Sequence, residues 1–285
     1  TLESSSAASD VYKRQPKNAD KIGFPILVKA AAGGGGKGMR IVRKQKELKD
    51  AITSAEREAE GGFGDKRVFL ERYIAKSRHI EIQILGDSHG NIIHLGEREC
   101  SIQRRHQKVV EESPSPIIDY DLRNKMGEAA IKMASLLKYE SAGTVEFLFD
   151  EKTKEFWFLE VNTRLQVEHP VTEEVTGIDL VREQLKIANG DPLSISQDDV
   201  EIIGSSIEVR LYSEDPGNDF LPVTGKLIAF DPCEEPLVRW DVGVESGSEI
   251  TPNFDPMLAK IISYGEDRIE AVSYTHLRAH ETQDD

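Results

Sequence analysis

The chain has 285 residues, 38% hydrophobic and 31% charged, with 36 Lys and Arg against 51 Asp and Glu for a formal charge of −15. That length can bury one large core or two smaller ones, and no apolar run is long enough to cross a membrane as a helix. The acid excess excludes general nucleic-acid binding while leaving room for a local basic pocket, and two cysteines, Cys100 and Cys233, with no signal peptide, point to a reducing compartment, the cytoplasm by default.

Both ends read as foreign to the fold. Residues 1–15 are rich in Ser and Ala without periodicity, and the run from Ser273 to Thr282 interrupts what should be a helix beginning near Asp267. Ser9-Asp-Val-Tyr-Lys-Arg-Gln15 and residues 274–282 resemble translated adapter sequence, so 1–15 and 272–285 are set aside as non-native flanks. The first expected element is the apolar strand Ile26-Leu-Val-Lys-Ala30, followed by Gly33-Gly34-Gly35-Gly36-Lys37-Gly38 and a second strand over 39–43. Gly33, Gly35 and Gly38 satisfy GxGxxG, but a dinucleotide fingerprint opens a helix and this run opens a strand. The phosphate-loop pattern fails as well, because Gly38 rather than Ser or Thr follows Lys37. What remains is a glycine-rich hairpin tip, soft enough to act as a lid and bare enough for its backbone to approach a polyphosphate. Lys29 and Lys37 on either side suit an anion. Residues 45–60 predict a charged helix stopped at Gly61-Gly62, with Leu48, Ile52 and Ala55 inward. Val68 to Ile74 follows as an apolar strand with Glu71 and Arg72 in its middle.

His79 to Leu85, the turn 87–91 and Ile92 to Leu95 predict a hairpin in which Ile80, Ile82 and Ile84 face one way and His79, Glu81 and Gln83 the other. From Arg98 to Lys108, four Arg or Lys residues and His106 fall within eleven positions of an otherwise acidic chain. Such a concentration of cations lowers the cost of bringing anions together. Residues 119–139 and 172–188 have helical spacing and read as scaffold, the second after Pro170 and with Gly190 beyond its end. Between them, Thr144 to Phe149 and the alternating run ending at Asn162 flank the polar turn 150–154 and predict a second hairpin. Period-two alternation puts Phe156, Phe158, Glu160 and Asn162 on one face, where a carboxylate beside aromatics needs a partner. Counting back through the turn sets Glu146 and Glu160 opposite or diagonal, roughly 5 to 8 Å apart. Like charges so placed repel unless a divalent ion sits between them, and magnesium on one or two carboxylates plus substrate phosphates fits hard-oxygen ligation. After a connection at 191–204, short strands are expected at 206–212, 225–231, 238–242 and 257–263. Ile207, Val209 and Leu211 face inward there, and Glu208, Arg210 and Tyr212 outward.

The stretch Glu160-Val-Asn-Thr-Arg-Leu-Gln-Val-Glu-His-Pro-Val-Thr-Glu173 resembles the active-site signature of biotin carboxylase, the ATP-grasp component of biotin-dependent acyl-CoA and pyruvate carboxylases. Gln103-Arg-Arg-His-Gln-Lys108 is similar to a second motif of that family, and the resemblance runs from about Pro16 to about Ala271. It implies an α+β ATP-grasp fold, with an ATP-grasp domain over 16–204 and a truncated β-rich C-terminal biotin carboxylase domain over 205–271. The first divides into a glycine-rich lid, about 16–74, and a mixed-sheet body, about 75–204.

The resemblance also implies a chemistry: carboxylation of biotin, a carrier-bound substrate, by ATP and bicarbonate through carboxyphosphate, with Mg2+ or Mn2+ as the metal. Lys29 would reach the phosphates, with Gly34, Gly35, Gly36, Lys37 and Gly38 closing over them. Glu71, Arg72 and Ile74 would take the adenine edge, His79 the ribose, and Gln103 and His106 the nucleotide. Metal would rest on Glu146, Glu160 and Asn162. Bicarbonate would be held by Lys108, Arg164, Gln166 and Val167, with Glu168 as its base, and Arg210 would steady the biotin enolate.

The implied partners are a biotin carboxyl carrier protein or domain, a carboxyltransferase, and a second copy in a full-length homodimer. The carboxyltransferase chooses the final acceptor, and Leu211-Tyr-Ser-Glu-Asp-Pro216 and Phe254-Asp-Pro-Met-Leu-Ala-Lys260 look more like acyl-CoA carboxylase α chains than pyruvate carboxylase. Since nothing before Pro16 could encode the family's preceding α/β domain, the chain is expected to be a fragment that does not turn over biotin alone. Two other readings stay open: another ATP-grasp ligase of the carbamoyl-phosphate synthetase kind, and a non-catalytic nucleotide-binding module. Arg164, Gln166 and Glu168 together with the 103–108 run argue against the first.

Overall fold

Ile26, Val28 and Ala30 alternate with Leu27 and Lys29 and so give β1 (Ile26–Ala30) one fully buried face. In the computed structural model, which describes residues 19, 22–32, 39–232 and 238–277, β1 lies between β2 (Arg40–Val42) and β3 (Val68–Arg72) in an antiparallel sheet. Helix α1 (Gln45–Phe63) lays Leu48 and Ala55 against Ile26, Val28, Val42 and Val68. Its stop comes at Gly64 rather than at Gly61-Gly62. Gly64 takes a left-handed φ of 69° and its N–H caps the Glu60 carbonyl, whereas Gly61 and Gly62 stay in the helix. The glycine tip, with Gly34, Gly35, Gly36, Lys37 and Gly38, lies outside the described residues. These elements and residues 104–107 make one compact unit, and residues 78–103 with those from 108 onward make a second.

The second unit is built on an eight-stranded sheet of order β13-β15-β9-β6-β5-β4-β7-β8. Its strands are β4 (Arg78–Gly86), β5 (Ile92–Arg104), β6 (Gln107–Ser113), β7 (Ser141–Asp150), β8 (Glu155–Asn162), β9 (Ser205–Tyr212), β13 (Val238–Val242) and β15 (Met257–Gly265). Two short pairs accompany it: β10 (Glu214–Asp215) with β11 (Leu221–Pro222), and β12 (Gly225–Lys226) with β14 (Glu249–Ile250). Of the strand expected at 225–231, only Gly225 and Lys226 form one. The expected mixed sheet is also not what forms. Every pairing with a described register is antiparallel, and β5 reaches β6 through Arg105-His106 alone, too short for the crossover that parallel strands require.

Ile80, Ile82 and Ile84 of β4 and Val145, Phe147 and Phe149 of β7 share a core with Met126, Ala130 and Ala134 of α2 (Tyr120–Leu137). Asp119 starts that helix by accepting from the Leu122 N–H. The helix expected over 172–188 is in fact two, α3 (His169–Thr176) and α4 (Leu180–Ala188). Gly177, at φ 68°, ends the first, and the Asp179 side chain caps the second by accepting from Arg182 N–H. Helix α5 (Arg268–Leu277) continues through Ser273, where an interruption was expected. Both α3 and α5 pack on β9 and β15. None of the described helices is long and apolar enough to cross a membrane.

Two bulges decide which side chains meet. Between Ile82 and Ile84, β5 carries an extra residue at Leu95-Gly96, where Gly96 takes φ 80°. Leu159 is the extra residue of β8, so Phe158 pairs with Phe147 while Glu160 pairs with Glu146. A bulge shifts the alternation by one. The single face expected for Phe156, Phe158, Glu160 and Asn162 is therefore split. Phe156 joins the aromatic core edge-on to Phe147, centroids 5.4 Å apart, and Glu160 and Asn162 pair with Glu146 and Thr144 of the opposite face.

Candidate active site

The registers set one row of charge across four strands: Arg98 on β5, Glu81 on β4, Glu146 on β7 and Glu160 on β8, each opposite the next. Glu81 and Glu146 are 0% and 3% exposed. Two like charges buried side by side need cations. Lys108 on β6 supplies one: its Nζ donates to Glu81 Oε2 at 2.6 Å, Glu146 Oε1 at 2.9 Å and Glu168 Oε1 at 2.6 Å, using all three ammonium protons. Burial alone would lower the Lys108 pKa, but the surrounding carboxylates, Glu81 first, outweigh it and raise it. Burial alone would raise Glu81, yet the Arg98 and Lys108 charges hold it down at about 2. Glu146 is likewise held at about 2, by His79 and Lys108 against the effect of burial.

Arg98 is fully buried and spends every N–H. Nε donates to Glu81, Nη1 to Gln83 Oε1 and Thr172 Oγ1, and Nη2 to Thr144 Oγ1 and Gln166 Oε1. One guanidinium thereby ties three strands to α3 and to the segment before it. Gln166 hands the connection on, its Nε2 donating to Glu146 Oε1 at 2.9 Å, and Asn162 Nδ2 donates to the same oxygen at 2.9 Å. His79 Nε2 stands 2.9 Å from Glu146 Oε2, with its ring turned off the hydrogen-bond axis. Gln103 Nε2 reaches His79 Nδ1 at 3.3 Å and the Cys100 carbonyl at 2.8 Å.

Glu168 precedes α3 and is 2% exposed. One oxygen takes Lys108; the other accepts from Arg210 Nη2 at 3.0 Å. The same Nη2 lies 2.7 Å from Glu111 Oε1. Arg210 was expected to face outward, and it does leave the Ile207 face, but α3 covers that side and its side chain is only 9% exposed. The Val167 carbonyl is fixed by Lys260 Nζ at 2.8 Å.

The second unit thus brings together His79, Gln103, Lys108, Glu146, Asn162, Gln166, Val167, Glu168 and Arg210. Arg164 stays apart: it is exposed, and its Nη1 turns back to the Leu165 carbonyl. Glu160 lies opposite Glu146 but is exposed. Among the described residues, the trios whose ligand atoms converge are His79, Glu81 and Glu146, and Glu81, Cys100 and Glu168. In the first unit, Lys29 pairs with Glu71 across β1 and β3, Nζ to Oε2 3.8 Å, while Arg72 is exposed and Ile74 follows β3 half-buried. His106 is exposed in a two-residue turn where both it and Arg105 have positive φ. Glu81, Arg98 and Glu111 join the cluster without having been given a site role in sequence. Glu81 had a signal, its place on the polar face of an isoleucine-alternating strand.

Two family models match the chain: the carbamoyl-phosphate synthase L chain, ATP binding domain, over 1–196, and the biotin carboxylase C-terminal domain over 208–283. The chain is similar to the mitochondrial propionyl-CoA carboxylase alpha chain of Homo sapiens, 54% identical over 256 residues, covering 89% of this chain and 35% of the relative. Biotin carboxylase 1 of Bacillus subtilis is 49% identical over 255 residues, covering 90% and 57%. A solved structure of the Hydrogenobacter thermophilus 2-oxoglutarate carboxylase biotin carboxylase domain, in complex with MgADP, ADP and bicarbonate, superposes with a TM-score of 0.89. It is 44% identical, over 93% of this chain and 58% of that one. Campylobacter jejuni biotin carboxylase, solved as a β,γ-ATP complex, has the same TM-score at 45% identity, over 93% and 59%. The chain spans between 35% and 57% of the length of these curated relatives.

Proposed function

We propose, since this chain belongs to the biotin carboxylase branch of the carbamoyl-phosphate synthase L chain ATP-binding family, that its full-length protein carboxylates biotin on a carrier with ATP and bicarbonate. The observation that carries this reading is the chain of contacts from Lys108 through Glu168 to Arg210, two cations gripping the two oxygens of one buried carboxylate.

Bicarbonate docks against Lys108, the Gln166-Val167 segment and Arg164, and Glu168 takes its proton. A bicarbonate oxygen then attacks the γ-phosphorus, the bond to ADP breaks, and carboxyphosphate forms. Its decarboxylation releases CO2 and leaves a phosphate that removes the N1′ proton of biotin. Arg210 steadies the resulting enolate while N1′ adds CO2. Preorganised cations in a dry site make so short-lived an intermediate usable. Lys29, Glu71, Arg72, Ile74, His79, Gln103 and His106 are the proposed nucleotide contacts.

Glu146, Glu160 and Asn162 fit a hard divalent cation, Mg2+ or Mn2+, because they offer oxygen donors on paired positions of β7 and β8. Such an ion, when bound, neutralises charge developing on the phosphates. The proposed partners are a biotin carboxyl carrier, a carboxyltransferase and a second copy of the chain, and the proposed acceptor is an acyl-CoA, as in the propionyl-CoA carboxylase relative. The free buried thiol of Cys100 suits a reducing compartment such as the cytoplasm, although some relatives are mitochondrial chains.

The test is ADP release by a full-length form. Release that requires biotin and bicarbonate supports the proposal. Release driven by ammonia instead would move the chain to carbamoyl-phosphate chemistry.

A further inference from the structure

Glu111 on β6 and Glu208 on β9 are directly opposite each other, and both are 0% exposed. Directly opposite residues of an antiparallel pair hold their Cβ atoms about 5 Å apart on one face. None of their four carboxylate oxygens has a hydrogen-bond partner among the described residues. Among the described residues, their one ion pair is from Arg210 Nη2 to Glu111 Oε1, at 2.7 Å and off the hydrogen-bond axis. Lys260, the other cation near Glu208, is already engaged by the Val167 carbonyl and by Asp241 at 3.1 Å. Two dry neighbouring carboxylates cannot both stay ionised beside a cation that is itself shared.

We propose that Glu111 is a positioning residue for Arg210, and that it shares one proton with Glu208, so that Arg210 presents more uncompensated charge when the pair is protonated. The role given to that charge rests on the reading that Arg210 serves the biotin enolate. With Glu111 ionised, Arg210 lies between two carboxylates, Glu111 and Glu168. With Glu111 neutral, Glu168 is the one carboxylate among the described residues still in an ion pair with Arg210. Glu111 also feels Glu81 on β4 and Cys100 on β5. Burial first, then Glu168, pushes the Glu111 carboxyl up to about 7 against the pull of Arg210. Burial and Glu111 together push Glu208 well above its usual range.

The test uses this 285-residue chain and needs no turnover. The 15N–1H resonance of Arg210 Nε, assigned by its loss in Arg210→Lys, is followed across neutral pH, and infrared difference spectra follow the protonated carboxyl band. Both should titrate near neutrality in the parent chain. Glu111→Gln should abolish the Arg210 titration, and Glu208→Gln should lower its midpoint by about one pH unit or more as the repulsion is removed. An Arg210 resonance that is flat, or that titrates unchanged in Glu111→Gln, overturns the proposal. Should Glu111→Gln not fold, the midpoint in Glu208→Gln decides alone, and an unmoved midpoint overturns it. A failed biotin assay would sink the proposed function and leave these spectra untouched.

Discussion

Lys108 neutralises three carboxylates that come from β4, β7 and the turn before α3, so its removal is felt as uncompensated buried charge. Lys108→Met should cost about 3 to 5 kcal/mol in urea unfolding, the range for breaking a buried pair from one side. Glu168→Gln should behave differently. In a full-length form it should reduce bicarbonate-dependent ATP cleavage by roughly 10² to 10⁴ while ATP binding, read by calorimetry, changes little; activity within a factor of about two of the parent would make Glu168 structural. Glu160→Gln should weaken ATP binding in Mg2+ and leave it unchanged in EDTA. Equal affinities in both buffers would remove Glu160 from the metal site. Lys108, Gln166 and Glu168 were named in sequence through the resemblance of their two motifs to a family signature, and the basic run ending at Lys108 also stood out in an acidic chain. Glu111 carried no signal there, and Arg98, though counted in that basic run, had no partner assigned, because the roles of both depend on which residue faces them across a strand.

At the level of elements, glycine separates positions that sequence treats alike. Gly62 sits inside α1 with nothing within 4 Å of a built Cβ, so Gly62→Ala should stabilise by about 0.5 to 1 kcal/mol. Gly127 of α2 is also helical, but a Cβ there would come 2.4 Å from the His94 ring, and Gly127→Ala should destabilise by about 1 to 3 kcal/mol. Opposite shifts in the thermal midpoint are the check. Strands, helices and the two hairpins were readable from periodicity and turn signals, yet the bulges within those hairpins were not. Without the extra residue at Leu95-Gly96, hairpin counting would set Glu97 beside Glu81 instead of Arg98. Without the extra Leu159, it would turn Glu160 toward the core with Val145. The division of 172–188 at Thr176-Gly177-Ile178-Asp179 did leave a trace, a left-handed glycine followed by a capping aspartate.

Over the whole molecule, the buried charges set opposite pH dependences. Glu81 and Glu146 are depressed from 4.5 to about 2, so their contribution is complete above about 4.5 and is lost as pH falls toward 2. Glu111 is raised from 4.5 to about 7, so the folded state holds its proton more tightly and stability declines as pH rises between those values. Urea midpoints should therefore crest in mildly acidic solution, and Glu111→Gln should flatten the decline toward neutrality. A midpoint that rises steadily from acid to alkaline pH would contradict this.

The hydrogen-bonded seam between β6 and β9 joins residues 110–113 to 206–209, and so stitches the stretch matched by the ATP-binding model to the one matched by the C-terminal model. A protease cut at the exposed Ile203 should then sever the backbone without releasing either piece. Expressed apart, each piece would present a long bare strand edge and self-associate. Expressed together, they should find one another and elute as a single 1:1 species, a split protein whose reassembly reports the integrity of that seam.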